Sequence, residues 1–323
     1  MKNLMTIFAL VALFCVIITA VSCGESATTT AGTVETTAPT AETTAATEAT
    51  TTAPVTTTEA PVTTTLPETT AKKPDPDMSP VSKLVNIKTA FAKETFSASN
   101  GLELPYRIFV PDDYSEDYAY PVVLVLHGAG ERGTDNESQL NNLMPSLYSK
   151  KDSPFYHAIV IAPQCPADEQ WVNTPWASGS YLLKRTPISK PLQAAVELLD
   201  SVIANYSINP DRQYVTGLSM GGFGTWDLLM RYPERFAAAI PYCGAADPKQ
   251  ASLLVNVPIW TFHDTTDGVV PCKGTQDIVK AIQDAGGTNI TYTETAQYGH
   301  DVWTPGSKTE GLLTWLFEQR KDK

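Results

Sequence analysis

The sequence predicts an α/β fold in which helices cover both faces of a mostly parallel β-sheet, preceded by a disordered Thr-rich linker. Short apolar runs bounded by turn residues alternate with helical apolar patterns over residues 81–323. Strands buried on both faces of a parallel sheet read as nearly continuous apolar runs, and their alternation with helices is typical of this architecture. The composition changes near residue 80, and the 243 residues that follow can bury a substantial core.

The first 22 residues have the pattern of a secretory signal peptide. A basic start is followed by an apolar run that ends on small residues directly before Cys23. This resembles the lipobox of bacterial lipoproteins, although Ala20 stands where that family usually has Leu. The resemblance implies cleavage before Cys23, lipidation of its sulfur, and a body that is extracytoplasmic and lipid-anchored to the bacterial cell membrane. The alternative is an uncleaved membrane anchor, because the apolar run of about 18 residues nearly reaches spanning length.

Residues 23–80 form the predicted linker. Residues 26–70 contain 21 threonines and five glutamates but neither Lys nor Arg, so almost nothing there can offset the entropy of ordering. Residues 24–80 carry eight acidic residues and two lysines, which is half of the formal net charge of −12. The sequence has no dense cluster of Lys and Arg, so we do not expect a nucleic-acid partner. The four histidines and five cysteines do not have the spacing of metal ligands. We therefore expect neither a metal nor a cofactor.

The globular body begins at residue 81 and contains the predicted strands and helices. Six strands are predicted, over residues 106–110, 121–126, 158–162, 213–216, 236–241 and 258–262. Four helices are predicted, over residues 192–206, 222–231, 274–285 and 312–319. Ligands of such sheets bind at the carboxyl ends of the strands, so the segments that follow the strands are the first candidates for a functional site.

The segment Gly217-Leu218-Ser219-Met220-Gly221 has the pattern G-x-S-x-G between a predicted strand and a predicted helix. This context is typical of a nucleophile elbow, in which a tight turn exposes the serine hydroxyl at the edge of the sheet. We therefore predict that Ser219 is a nucleophile. The alternative is a Gly-rich turn that only packs the helix on the sheet.

A serine nucleophile needs a base, and an acid that orients the base. Two histidines follow Ser219 in the sequence. His300 lies in a loop before the last helix, where the base is expected, whereas His263 ends a strand and is predicted to be a packed residue. Asp264 and Asp267 are both candidates for the acid. A turn-forming role for Asp264, capping local amides, would make its replacement by Asn mild.

An oxyanion hole needs two backbone N–H groups near the nucleophile. The first is predicted at Met220, the residue after the serine. The second is predicted at Ala129, in the loop His127-Gly128-Ala129-Gly130 that follows the strand over 121–126. His127 itself is predicted to stabilise this loop.

These motifs together resemble the α/β-hydrolase superfamily over residues 100–320. The narrower segments L-H-G-A-G-E-R-G-T-D-N (126–136), A-P-Q-C-P (162–166) and T-G-L-S-M-G-G (216–222) look like the esterases and peptidases near polyhydroxybutyrate depolymerases and feruloyl esterases. The spacing H-x-x-x-D-x-x-V-P from His263 matches the acid loop of the superfamily, which implies Asp267 as the acid. The implied catalytic set is Ser219, Asp267 and His300.

Residues 163–191 form a long segment without a clear strand pattern, and it begins at the carboxyl end of a strand. Trp171 and Trp176 are predicted to contribute an apolar wall to the substrate pocket. Equally open is a satellite hydrophobic cluster that holds the segment down. A disulfide between Cys243 and Cys272 is another open alternative, because both cysteines follow neighbouring strands.

The resemblance and the surface tether favour an exported serine esterase that forms an acyl-enzyme. Its predicted substrates are carboxylic esters linked to plant polysaccharide, with feruloyl or acetyl as the acyl group. A serine peptidase is the alternative, because it uses the same triad and oxyanion hole. A third hypothesis is a surface adhesin on an inactive hydrolase fold, against which the complete set of Ser219, Asp267 and His300 argues.

Overall fold

The computed structural model describes residues 72–321, and its centre is one eight-stranded β-sheet. The strands are β1 (Ala92–Ser97), β2 (Glu103–Phe109), β3 (Tyr120–Leu126), β4 (Ile159–Pro163), β5 (Ile208–Leu218), β6 (Ala238–Tyr242), β7 (Ile259–Asp264) and β8 (Ile290–Thr295). Their order in the sheet is β1-β2-β4-β3-β5-β6-β7-β8. The pairs β1–β2 and β2–β4 are antiparallel, and all the others are parallel. The predicted fold class is therefore confirmed.

Helices lie against both faces of this sheet. The α-helices are α1 (Ile87–Ala90), α2 (Leu143–Leu147), α3 (Lys190–Asn205), α4 (Met220–Arg231), α5 (Lys273–Asp284), α6 (Trp303–Gly306) and α7 (Leu312–Glu318). Short 3-10 helices occur at Ala129–Glu131, Ser138–Leu140, Pro154–His157, Trp176–Ser178, Leu183–Arg185 and Pro248–Leu253.

Strand β3 shows how the sequence produces two hydrophobic layers. All seven of its residues are buried, and successive side chains of a strand point to opposite faces. Val122, Leu124 and Leu126 pack in the cluster that includes residues of α3, α4 and α5. Val123 and Val125 pack in the other cluster, with α2 and α7. The continuous apolar run of β3 therefore indicates burial on both faces.

All six predicted strands and all four predicted helices are present, with ends that differ by a few residues. Strands β1 and β8, which lie at the two edges of the sheet, are not predicted by the sequence pattern. Their segments A-K-E-T-F-S and I-T-Y-T-E-T are largely exposed or half-buried and carry few apolar residues. Edge strands are paired on one side only, so they need no continuous apolar run.

Residues 72–80 differ from the prediction that the linker extends to residue 80. The N–H of Ala119 donates to the carbonyl of Pro74 at 2.9 Å. Asp75 lies 3.2 Å from Arg212 and 2.7 Å from Arg320. Burial acts to raise the pKa of Asp75, but the hydrogen bond from Arg320 and the two guanidinium charges lower it overall. The folded part of the chain therefore begins before residue 81.

The predicted signal peptide 1–22, Cys23 and the linker up to residue 71 lie outside the described residues. Within residues 72–321, none of the helices combines the length and the apolar character that crossing a membrane requires.

The end of β3 and the start of α4 approach each other so closely that no side chain fits between them. A Cβ atom on Gly221 would lie 2.0 Å from the carbonyl oxygen of Leu126. Contacts under 3.0 Å with backbone require the backbone itself to move. The position of α4 against β3 therefore depends on this glycine.

We predict that Gly221→Ala lowers the free energy of unfolding by about 2–3 kcal/mol, because it forces this backbone apart. The loss should exceed the gain of about 1 kcal/mol that alanine brings to a helix. Gly130→Ala is the control, because its Cβ would meet nothing within 4 Å. Urea denaturation of both variants measures the difference, and equal stabilities would contradict the close approach.

Candidate active site

Ser219 occupies a strained turn between β5 and α4. Its backbone has φ 53° and ψ −117°, a conformation that residues other than glycine rarely adopt. Its N–H donates to the carbonyl of Tyr242 at the end of β6, at 2.9 Å, and its carbonyl accepts from Phe223 in α4 at 3.0 Å. The turn is thus fixed between a neighbouring strand and the helix, at the carboxyl end of β5.

Ser219, His300 and Asp267 form a continuous row of hydrogen bonds. The Nε2 atom of His300 lies 2.9 Å from the Ser219 hydroxyl, and its Nδ1 atom lies 2.8 Å from Oδ2 of Asp267. The other carboxylate oxygen of Asp267 accepts the N–H groups of Val269 and Val270 at 2.8 and 3.0 Å. The structure thus brings the three predicted catalytic side chains together, at the carboxyl ends of β5, β7 and β8.

The charge of Asp267 determines which nitrogen of His300 carries the proton. The side chain of Asp267 is fully buried, and this burial acts to raise its pKa, but hydrogen bonds from two histidine rings and two amides lower it overall. An ionised carboxylate only accepts hydrogen bonds, so Nδ1 of His300 carries the proton. The free Nε2 atom then accepts from the Ser219 hydroxyl. This arrangement can remove the hydroxyl proton when the serine oxygen attacks a substrate.

The predicted oxyanion donors lie on two neighbouring backbone segments. Strands β3 and β5 pair in parallel, with Leu126 opposite Gly217, so the loops that follow them leave the sheet side by side. Ala129 is the first residue of a 3-10 helix and Met220 is the first residue of α4. The N–H groups at the start of a helix have no partner inside the helix. Binding of an oxyanion at these two amides remains a prediction.

Two polar side chains, buried Glu131 and half-buried Arg132, hold the Ala129 loop in shape. The Glu131 carboxylate accepts the N–H of Gly128 at 2.9 Å, and burial raises the pKa of Glu131. Arg132 donates from Nε to the carbonyl of Ala129 at 2.9 Å. Both contacts fix the peptide groups on either side of the predicted donor.

His127 stabilises the same loop, as predicted, through both ring nitrogens. Its Nδ1 atom lies 2.6 Å from the carbonyl of Gly128, and its Nε2 atom accepts the N–H of Cys165 at 2.9 Å. Burial lowers the pKa of His127 to about 4, so the ring is neutral at pH 7. A neutral ring with the proton on Nδ1 satisfies both contacts.

The prediction that Trp171 lines the substrate pocket is wrong for this structure. Trp171 is completely buried, and its indole N–H donates to the carbonyl of His127 at 3.0 Å. A side chain without accessible surface cannot contact substrate, so Trp171 belongs to the core beneath the Ala129 loop. Trp176 is half-buried, and the Arg132 guanidinium lies 5.7 Å from its ring centre. Its contact with substrate remains a prediction.

Asp264 was assigned a local turn role by sequence, and the structure gives it a wider one. Its Oδ1 atom accepts the N–H of Thr266 at 2.8 Å, which is the predicted local contact. Its Oδ2 atom accepts from the hydroxyl of Thr295 at 2.6 Å and from the amides of Gln297 and Tyr298 at 2.9 Å each. Asp264 thereby joins the end of β7 to the loop that carries His300.

The donors around Asp264 also explain its charge. The side chain is completely buried. Burial acts to raise the pKa of Asp264, but the hydrogen bonds from Thr266, Thr295 and backbone amides outweigh it and lower the pKa. An Asn at this position would turn an N–H₂ group toward some of these donors, so the local role was an incomplete basis for expecting a mild effect. Nothing in the local sequence signals contacts some thirty residues away.

Cys165, Cys243 and Cys272 are free thiols, so the disulfide considered between Cys243 and Cys272 is not formed. The sulfur of Cys272 instead lies 3.1 Å from the hydroxyl of Tyr292. Cys243 has a backbone φ of 39°, which is unusual for a residue with a side chain, and it is completely buried.

Among the described residues, one cluster has the proximity that a metal ion would need: Cys243, Asp267 and His300, whose donor atoms lie within 4.8 Å of one another. Both ring nitrogens of His300 already have hydrogen-bond partners, Ser219 and Asp267. Burial raises the pKa of the Cys243 thiol, which disfavours the thiolate that a metal prefers. The cluster is therefore better explained by the hydrogen-bonded row than by metal binding.

A comparison with protein families matches residues 97–277 to the family model described as "Putative esterase". Poly(3-hydroxyoctanoate) depolymerase of Pseudomonas fluorescens is 27% identical over 215 residues, which cover 61% of this chain and 73% of that protein. The bifunctional acetylxylan esterase/xylanase XynS20E of Neocallimastix patriciarum is 24% identical over 144 residues, which cover 44% of this chain and 22% of that protein.

Among solved structures, the crystal structure of a thermostable esterase is similar, with 37% identity and a TM-score of 0.66. The match covers 72% of this chain and 64% of that chain. The chain therefore spans less than two thirds of this esterase and about a fifth of the bifunctional enzyme.

Replacement of Trp171 and Trp176 by alanine should show which of the two side chains belongs to the core. We predict that Trp171→Ala lowers the free energy of unfolding by about 3–5 kcal/mol, because it removes buried area and leaves the carbonyl of His127 without its donor. Trp176→Ala should cost less than about 2 kcal/mol. Chemical denaturation measures both. Similar losses for the two variants would show that Trp171 is less embedded than its contacts indicate.

Proposed function

The chain belongs to the esterase family whose model it matches, and on this premise we propose that it is an exported serine esterase that hydrolyses carboxylic esters. The observation that carries the proposal is the row of hydrogen bonds from the Ser219 hydroxyl through His300 to buried Asp267. Spatial agreement of a nucleophile, a base and an orienting acid is the feature by which such sites are recognised across unrelated folds.

In the proposed reaction, the oxygen of Ser219 attacks the ester carbonyl carbon while Nε2 of His300 takes the hydroxyl proton. The negative charge that develops on the carbonyl oxygen is stabilised by the N–H groups of Ala129 and Met220. His300 then gives the proton to the departing alcohol, which leaves an acyl-enzyme. A water molecule attacks the acyl carbon, His300 takes the water proton and returns it to Ser219, and the carboxylic acid is released.

Asp267 has two roles in this cycle. It keeps the proton of neutral His300 on Nδ1, which leaves Nε2 free to act as the base. It also stabilises the imidazolium that forms in each half-reaction, because its carboxylate stays ionised at low pH. The ring of Trp303 packs edge-on against His300, with ring centres 5.4 Å apart, and restrains the imidazole from a second side.

We propose acyl groups on plant polysaccharide, feruloyl or acetyl, as the substrates. The similarity to a protein named acetylxylan esterase/xylanase supports this class. Burial of Trp171 leaves Trp176 as the predicted aromatic wall residue.

We also propose that the protein is a lipoprotein, cleaved before Cys23, lipidated there and anchored to the bacterial cell membrane. The support is the signal-like pattern of residues 1–22 and the Thr-rich composition of the segment that follows. In this proposal the linker holds the esterase away from the membrane, within reach of polymeric substrate.

Replacement of Ser219 tests the reaction. We predict that Ser219→Ala lowers kcat/KM on p-nitrophenyl acetate at least about 10⁴-fold, because it removes the nucleophile. The melting temperature should stay close to that of the wild type, since one hydroxyl is lost without a change in packing. Treatment with a serine-directed phosphonate should inactivate the wild type and label Ser219.

The same assay distinguishes the alternatives. Acetylated xylan and aryl esters are compared with peptide anilides on the wild type. Faster hydrolysis of the anilides would favour a peptidase of the same fold. Retention of ester hydrolysis by Ser219→Ala would place the reaction elsewhere, and an unlabelled, inactive wild type would favour the adhesin hypothesis.

Replacement of Cys23 tests the anchor. We expect Cys23→Ser, expressed from the full-length gene in a bacterial host, to lose incorporation of radiolabelled palmitate, because the acceptor sulfur is gone. It should also stop partitioning into the detergent phase as a processed protein. Thr40→Ser, which lies in the linker and keeps Cys23 and the small residues before it, serves as the control. Unchanged membrane association of Cys23→Ser without label would favour the uncleaved anchor.

A further inference from the structure

We propose that His263 is a positioning residue, a second imidazole that donates to the carboxylate of Asp267 and shares its charge with His300. The inference rests on the proposed function and names a residue for which the sequence predicted only packing. Asp267 would then be held between two histidines, one facing the substrate and one facing the interior.

The ring of His263 is placed to donate to Asp267. It is completely buried at the end of β7, and its Nε2 atom lies 3.2 Å from Oδ2 of Asp267 and 3.0 Å from the carbonyl of Val270. A carbonyl and an ionised carboxylate can only accept hydrogen bonds. Nε2 of His263 must therefore carry a proton, which it directs toward these two oxygens.

The other side of the ring is also held. Its Nδ1 atom lies 2.7 Å from the hydroxyl oxygen of Thr275 in α5, which in turn lies 2.9 Å from the carbonyl oxygen of Gly244. With Nε2 protonated in a neutral ring, Nδ1 accepts the single hydroxyl proton of Thr275. Partners at both nitrogens fix the plane of the ring as well as its position. The row of polar contacts that starts at Ser219 thus continues past Asp267 into the interior.

The contacts of Asp267 show what His263 contributes. One carboxylate oxygen accepts two backbone amides, and the other lies 2.8 Å from Nδ1 of His300 and 3.2 Å from Nε2 of His263. A carboxylate has about four acceptor positions, and donation from His263 would occupy the fourth. Loss of His263 would leave this acceptor position of a buried carboxylate empty. The carboxylate would then be freer to rotate, and more of its charge would act on His300.

Two measurable consequences follow. Without the His263 donor, the Asp267 carboxylate stabilises protonated His300 more strongly, so the ring of His300 titrates at higher pH. The acid limb of the kcat/KM profile shifts to higher pH with it. The looser carboxylate orients His300 less well, so kcat falls while KM changes little. A packing defect alone would lower stability without moving the titration.

Other titratable groups face these rings and are unchanged in the variants below. They are Cys243 from the end of β6, Asp264 from β7, Cys272 from the start of α5, Glu294 from β8 and Asp301 from the His300 loop. A difference between variants at position 263 therefore reports on the ring of His263 itself.

The experiment compares His263→Gln with His263→Asn in the full chain. Gln places an N–H group near the position of Nε2 and keeps a donor for Asp267, whereas Asn places its amide near Nδ1 and does not reach. The sequence has only four histidines, so the C2–H signal of each can be assigned by single substitutions and followed by NMR as the pH changes. His157→Asn, in the 3-10 helix Pro154–His157, is the matched control for loss of a mostly buried histidine.

We expect the titration midpoint of His300 to rise by about 0.5–1 pH unit in His263→Asn and to stay within about 0.3 unit of the wild type in His263→Gln and His157→Asn. The acid limb of kcat/KM should move by the same amount. At the pH optimum, kcat of His263→Asn should fall about tenfold with KM within about twofold.

An unchanged His300 midpoint in His263→Asn would overturn the proposal, even if kcat falls. The NMR titration needs no turnover, so a wild type without esterase activity would refute the proposed function and leave this result readable. If His263→Asn does not fold, ¹⁵N NMR of the wild type decides. A protonated Nε2 of His263 at neutral pH supports the proposal, and an unprotonated Nε2 overturns it.

Discussion

The close approach of three backbone segments around Ser219 is the constraint on which the site depends. The end of β3, the turn after β5 and the end of β6 meet so tightly that a Cβ on Gly217, Gly221 or Gly244 would fall within 2.4 Å of neighbouring backbone. This contact forces the strained turn that presents Ser219. It also places the Ala129 loop beside the start of α4, so the same backbone contact positions the nucleophile and the proposed oxyanion donors.

The carboxyl end of β7 supplies the second half of the arrangement. His263 and Asp264 are neighbours in sequence but point to different partners: the ring contacts Asp267, and the carboxylate holds the loop before His300. Buried charged and polar groups are costly unless they are hydrogen-bonded. Here several donors satisfy each buried carboxylate, so the polar interior rigidifies the acid and the base instead of weakening the fold.

The sequence predicted those features that depend on local pattern. The buried run of β3 and the G-x-S-x-G turn are readable because period and glycine spacing carry the information. The spacing H-x-x-x-D-x-x-V-P from His263, which resembles the acid loop of the superfamily, predicted Asp267 as the acid. Trp171 was misread, and the role of Asp264 was only partly predicted, because their other contacts come from distant segments: the His127 carbonyl and the amides after β8. An aromatic in a loop and an aspartate at a strand end look alike in sequence whether they face solvent or the core.

The contacts of residues 72–80 show at which end of the sheet this segment meets the domain. Pro74 contacts Ala119, directly before β3, and Asp75 contacts Arg212, in the amino-terminal half of β5. The triad lies at the carboxyl ends of the same sheet, and the seven residues of β3 span roughly 20 Å between these two edges. Residues 72–80 therefore enter the domain at the end of the sheet opposite Ser219. A force applied through this segment would act on the amino ends of the strands and leave the turn that carries Ser219 on the far side of the sheet.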